Sequence, residues 1–145
     1  MTDETPSIHA AHDDADRIAA WLEDRLYEFN VAATGFADGR ALCFTIEDGG
    51  RIVAGIAGHT WGGCCEIKQL WVDAPVRGRG LGSALLARAE QEATRRGCGR
   101  MLLSTHSFQA PALYRARGFT EVGRMTDYPR GFDNIVFVKR LDQGE

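Results

Sequence analysis

Strand-like runs of apolar residues occur at four places in the first 72 residues, with a helical spacing near 3.6 between the first and the second. Residues 7–10 give a short candidate strand. Asp13 or Asp14 can then cap a helix running to about Asn30, with Ile18, Trp21, Leu22, Leu26 and Phe29 spaced along one apolar side. Strand patterns follow at residues 42–46 and 52–57, separated by Asp48-Gly-Gly50, a hairpin turn. A second turn over residues 59–63 leads into a longer strand, residues 64–72. Residues 83–96 have helical spacing, with Leu85, Leu86, Ala89 and Ala93 on the apolar side, Glu92 and Arg96 paired at i,i+4, and Gly97 as the stop. A strand at 101–105, a short helix at 109–117 closed by Gly118, and strands at 119–124 and 134–140 complete the chain. The order β α β β β α β α β β predicts an α/β fold, a mixed and mostly antiparallel sheet of about seven strands flanked by helices.

The corner between the fourth predicted strand and the second helix is the most informative segment. It reads Arg77-Gly78-Arg79-Gly80-Leu81-Gly82. The first N–H groups of a helix lack intrahelical partners and sit at the positive end of its dipole, so an anion can satisfy both. Glycines let the backbone approach such a ligand closely, and Arg77 and Arg79 add positive charge. The corner therefore suits a pyrophosphate, although a glycine-rich turn can also serve only as a connection. It is no Walker loop, because Gly82 is followed by Ser83-Ala84 rather than Lys-Ser/Thr. Nor does its G-x-G-x-G spacing match the dinucleotide fingerprint.

The remaining composition narrows the class. A chain of 145 residues with 44% hydrophobic and 26% charged content fits one soluble domain, residues 1–145. No apolar run is long enough to span a bilayer, and the acidic, polar start lacks the features of a targeting peptide. A cytoplasmic protein without membrane partners is expected. Residues 1–50 carry eleven acidic and three basic side chains, whereas residues 51–145 carry nine and fourteen. The arginines of the second part are dispersed, so no nucleic-acid footprint is expected. Cys43, Cys64, Cys65 and Cys98 have no metal-ligand spacing and read as buried free thiols of a reducing compartment, with no metal site.

Two motifs together resemble the GNAT superfamily of acyl-CoA-dependent N-acyltransferases: Arg77-x-x-Gly80-x-Gly82, and the block from Ala110 through Tyr114 to Gly118-Phe119, one helix and one strand further on. The resemblance covers residues 40–140 in detail. The run from Ser107 to Ala110 and the segments Tyr128-Pro-Arg-Gly131 and Phe137-Val-Lys139 are similar to a bacterial subgroup with poorly defined acceptors. It implies a sheet splayed between its fourth and fifth strands, with acetyl-CoA as cosubstrate in the gap. The cofactor-binding residues implied are Leu70, Trp71 and Val72 through their main chain, Arg77, Gly78, Arg79, Gly80, Leu81 and Gly82 around the pyrophosphate, and Ser107, where many members have Asn. The matching tyrosine of the family implies Tyr114 as the acid that protonates the leaving thiolate, since a phenol is protonated at neutral pH. Glu66, eleven residues before Arg77, is the candidate base, on one strand face with Lys68 and Leu70 unless a bulge intervenes; His106 and Asp127 are reserves. The function implied is direct acetyl transfer to a primary amine of a small molecule. A non-catalytic acyl-CoA-binding or sensing module, and a protein N-acetyltransferase, share the same features. The resemblance is also compatible with a homodimer.

Overall fold

The computed structural model describes residues 5–142. The chain divides between Phe36 and Ala37 into two compact units. In the first, a 3-10 turn (His12–Asp14) leads into helix α1 (Ala15–Thr34). Asp14 stands at its N-cap position but makes no side-chain cap bond, and its carboxylate instead takes Arg17 Nη2 at 3.2 Å. The helix runs four residues beyond the predicted Asn30 and stops at Gly35, whose N–H donates to Val31 O at 2.7 Å. The predicted strand at 7–10 does not form: residues 5–11 carry no regular structure. Ile8 is the only large apolar residue there and is 99% exposed, so that segment has no apolar face to bury.

The second unit is a six-stranded sheet, one strand fewer than expected because of that missing segment. Its strands are β1 (Arg40–Asp48), β2 (Arg51–Trp61), β3 (Cys64–Val72), β4 (Arg100–His106), β5 (Thr120–Thr126) and β6 (Asp133–Arg140). They stand in the order β1-β2-β3-β4-β6-β5. Every pair is antiparallel except β3 with β4. That single parallel pair is the one that needs a crossover, supplied by helix α2 (Leu81–Arg95). A shorter helix, α3 (Pro111–Ala116), joins β4 to β5. The expected α/β class and mostly antiparallel sheet are present.

Helix α2 packs on β1, β2 and β3 through Leu85, Leu86, Ala89 and Ala93, the four positions its periodicity marks. They meet Leu42, Ile56, Ile67, Met101 and Phe137 in one core. The Glu92–Arg96 pair forms at 2.8 Å, Arg95 joins it, and Arg96 also donates to Thr60 Oγ1 at 3.0 Å. The C-terminal end of α2 is thus tied to β2, which fixes where its N-terminal end lies against β3.

The position of the site depends on an irregularity in β3. Ala57 pairs with Gln69 but Gly58 pairs with Ile67, so Lys68 is an extra residue, a β-bulge. Opposite it, Gly58 has no room for a side chain: a Cβ there would lie 2.1 Å from Glu66 O. Gly58→Ala should therefore force β2 and β3 apart and lower stability by about 1–3 kcal/mol. The check is a urea unfolding midpoint; an unchanged midpoint would show that the bulge can relax.

Candidate functional site

The bulge separates β3 from β4. The two strands pair only over Cys64–Arg100, Cys65–Met101 and Glu66–Leu102, then diverge. Along β3 the buried positions run Cys65, Ile67 and then Leu70, Val72, which pack on the core, so the inward phase slips by one at the bulge. Glu66 consequently lies on the opposite face from Leu70, the outcome expected where a bulge intervenes. Asp73 N–H donates to Val53 O at 2.8 Å. By the alternation of an antiparallel ladder, Trp71 then directs its main chain to β2, while Leu70 and Val72 turn theirs toward the gap. Of the three main-chain segments expected there, Leu70 and Val72 face the opening and Trp71 contributes only its side chain. The gap is a cavity of about 740 Å³ between β3, β4 and α3. Such a wedge, with an unpaired strand edge as one wall, can accept an extended ligand that bonds as a strand would.

The glycine-rich corner closes one end of this cavity. Gly78 and Gly80 both have φ of 79°, a left-handed conformation that side chains disfavour. No side chain caps α2, no acidic residue stands in its first turn, and its first internal bond is Ala84 N–H to Gly80 O at 3.0 Å. The N–H groups of Leu81, Gly82 and Ser83 are therefore left at the positive end of a 15-residue helix without intrahelical acceptors. Gly82 itself lines the cavity. A bound diphosphate fits this chemistry without a side-chain ligand.

The two arginines of the corner have different surroundings. Arg77 Nε donates to Val72 O at 2.8 Å, and its guanidinium sits 4.7 Å over the Trp71 ring. Trp71 Nε1 in turn donates to Asp73 Oδ1 at 2.8 Å. Arg77 thus braces the end of β3 against the turn while adding its charge to the cavity wall. Arg79 is exposed and makes no ion pair among the described residues.

Tyr114 lies on the far wall, in α3. It is 6% exposed, with its ring edge-on to Phe119 at 5.8 Å and tilted against Phe137 at 6.0 Å, and it lines the cavity. Burial pushes its phenol above the usual tyrosine range, so it stays protonated at neutral pH and can only donate or accept hydrogen bonds as a neutral group. Gln109 sets the turn that presents α3. Its Oε1 accepts from His106 N–H at 2.7 Å and from Thr105 Oγ1 at 3.2 Å. Sequence reasoning placed Gln109 in the 107–110 run and at the start of the short helix, without this bonding role; α3 begins instead at Pro111.

The remaining expected residues lie off the cavity wall. Glu66 is half-buried, with Oε2 3.2 Å from Lys68 Nζ and Oε1 3.9 Å from His59 Nε2; its chain neighbours Ile67 and Lys68 line the cavity. Ser107 Oγ accepts from Asp133 N–H at 3.0 Å and so anchors the start of β6. All four cysteines are free; Cys65 and Cys98 are buried as expected, whereas Cys64 is half-buried and Cys43 exposed. The Cys65 thiol is pushed up to about 12, chiefly by burial and then by Cys98, and burial raises Cys64 and Cys98 as well. Thiols held in this state are poor nucleophiles.

Comparison with known proteins agrees with this arrangement. Residues 6–119 match the model of the acetyltransferase (GNAT) family. The chain is 40% identical over 93 residues to blasticidin-S acetyltransferase of Streptomyces morookaense, covering 63% of this chain and 68% of that one. It is 36% identical to acetyltransferase Atu2258 of Agrobacterium fabrum over 121 residues, or 83% and 88% of the two chains. The crystal structure of an acetyltransferase from Bacillus cereus superposes with a TM-score of 0.80 at 27% identity, covering 94% of this chain and 97% of that one. The splayed sheet, the glycine corner and these matches together place the chain in the GNAT family, and the protein is an acetyltransferase of that type.

Proposed function

We propose that this enzyme transfers an acetyl group from acetyl-CoA directly to a primary amine of a small molecule, with both substrates bound together. The observation that carries the reading is the uncapped start of α2 opening onto the β3–β4 wedge: a diphosphate seat at one end and an unpaired strand edge along the wall. The diphosphate takes the amides of the corner from Gly78 to Ser83, and pantetheine lies along Leu70 and Val72. The Val72 N–H faces the gap and is the donor for the thioester carbonyl, stabilising charge as it develops there. The amine nitrogen attacks that carbonyl, the C–S bond breaks, and the Tyr114 O–H supplies a proton to the departing sulfur. Glu66 takes the proton released by the amine, through water, since its chain neighbours Ile67 and Lys68 line the cavity and it does not. Direct transfer is supported by Cys64, Cys65 and Cys98, whose raised thiols are poor nucleophiles for an acyl-enzyme. A small acceptor is supported by the relative named for blasticidin-S. We also read residues 1–145 as one acetyltransferase domain.

Thiol release from acetyl-CoA with a panel of primary amines tests the reading. Amine-dependent release is expected, and stabilisation by coenzyme A without release from any amine would leave a binding module instead. In the same assay Glu66→Gln should depress the rate chiefly below the pKa of the amine, where a proton must be removed. An unaltered pH–rate profile would clear Glu66 of the base role.

A further inference from the structure

The cavity opens beside a cluster of aromatic rings to which the proposed transfer assigns no part. His106 stacks on Phe108, centroids 5.5 Å apart and planes 4° apart, and meets Tyr128 edge-on at 5.2 Å. Phe108 meets Phe132 edge-on at 5.0 Å. Phe108, Tyr128 and Phe132 are nevertheless 56%, 52% and 47% exposed. Apolar side chains gathered in one patch and left this open mark a contact site more often than a core. Phe108 also belongs to the cavity wall, so the patch is continuous with the space assigned to the thioester end of the cosubstrate.

The rings are held in place before any ligand arrives. Tyr128 N–H donates to Phe132 O, and Phe132 N–H to Pro129 O, both at 2.8 Å. Asp127 Oδ1 accepts from Gly131 N–H at 2.7 Å, and Ser107 N–H donates to Asp133 O at 2.8 Å at the base of the loop. His106 Nδ1 lies 3.2 Å from Tyr128 O. A carbonyl only accepts, so Nδ1 carries the hydrogen, and in the neutral ring Nε2 keeps its lone pair as an acceptor. A pre-ordered surface of this kind loses little freedom on binding.

Resting on the acetyltransferase reading, we propose that the aromatic cluster of His106, Phe108, Tyr128 and Phe132 is the acceptor subsite and selects primary alkyl amines carried close to a flat aromatic ring. Ring faces reward a flat π-system through offset and edge-to-face contacts, and they attract a neighbouring ammonium through the ring quadrupole. A saturated, polyhydroxylated amine would find His106 Nε2 as an acceptor but few other polar partners on these rings, and would leave its hydroxyls unpaired on binding. The occupant is thus an arylalkyl amine rather than an amino sugar.

The test uses two amines of equal chain length and charge, 2-phenylethylamine and 2-cyclohexylethylamine, titrated calorimetrically into the full-length protein saturated with coenzyme A. The aromatic amine should bind about tenfold more tightly, since each ring contact contributes roughly a two- to tenfold preference. Tyr128→Leu and Phe132→Leu should each narrow that difference to about twofold while moving the saturated amine by no more than about twofold. Tyr128→Leu retains the carbonyl that holds His106, and thermal melts report whether either variant folds. Equal affinity for the two amines, no measurable binding of either, or a dimer in sedimentation that Phe132→Glu dissociates, would each overturn the proposal. If coenzyme A itself fails to bind, the acetyltransferase reading falls first; if it binds and the amines are not distinguished, only the aromatic subsite falls.

Discussion

Gly82→Leu is expected to abolish binding of acetyl-CoA while the protein still folds. The reason is where the new side chain must go. A Cβ at Gly82 would lie 3.5 Å from Leu113 Cδ2 and 3.8 Å from Val72 Cγ2, ordinary contact distances, so the backbone tolerates it. Leu113 and Val72 are both cavity-lining, and the additional carbons of leucine therefore project into the wedge itself. Gly82→Ala, which adds only that Cβ, should retain most of the affinity. Isothermal titration with acetyl-CoA separates the two: roughly 100-fold or greater loss for leucine, equivalent to about 2.7 kcal/mol, and a few-fold loss at most for alanine. Wild-type affinity in Gly82→Leu would contradict the placement of the diphosphate.

Tyr114→Phe should lower turnover by about 10²-fold, the lower end of what a positioned acid contributes, with cofactor affinity close to wild type. The phenylalanine keeps both ring contacts, to Phe119 and Phe137, and removes only the hydroxyl. A structural role would show as a lower melting temperature with turnover little changed, whereas an acid role shows in kcat with stability little changed. Leaving-group dependence sharpens the distinction. A thioester with a more acidic thiol needs less proton donation, so the variant's deficit should shrink with it. Full activity in Tyr114→Phe would remove the residue from the mechanism.

The parts of this fold that sequence exposes are those governed by local periodicity. Both sides of the first hairpin, the apolar side of α2 and the Glu92–Arg96 pair follow directly from residue spacing. The glycine corner is equally legible, because left-handed backbone at Gly78 and Gly80 tolerates few other residues. Residues 7–10 show the limit of that approach. Alternation over four residues is a weak signal, and a strand also needs a partner and an apolar face, which a window that short does not reveal.

The bulge at Lys68 carried a signal that two-residue periodicity hides. Ile67 and Leu70 are both apolar and three apart, so a regular strand cannot place both inward; one extra residue between them can. Gly58, on the partner strand, is the complementary mark. Arg77 illustrates a different limit. Its sequence position gives a positive charge near the corner, but its bond to Val72 O and its stacking on Trp71 are side-chain choices that only tertiary structure settles. The aromatic cluster was hidden for a third reason: Phe108 and Phe132 are 24 positions apart, and the β4–β6 pairing brings their loops together.

The central claim is that free amides at the start of α2 hold the diphosphate of acetyl-CoA. A crystal structure of the protein with coenzyme A tests it most directly. The account predicts phosphate oxygens within hydrogen-bond distance of main-chain N–H groups between Gly78 and Ser83, with the thiol arm running between β3 and β4 toward Tyr114. Phosphates bound elsewhere, with that corner left to water, would contradict it.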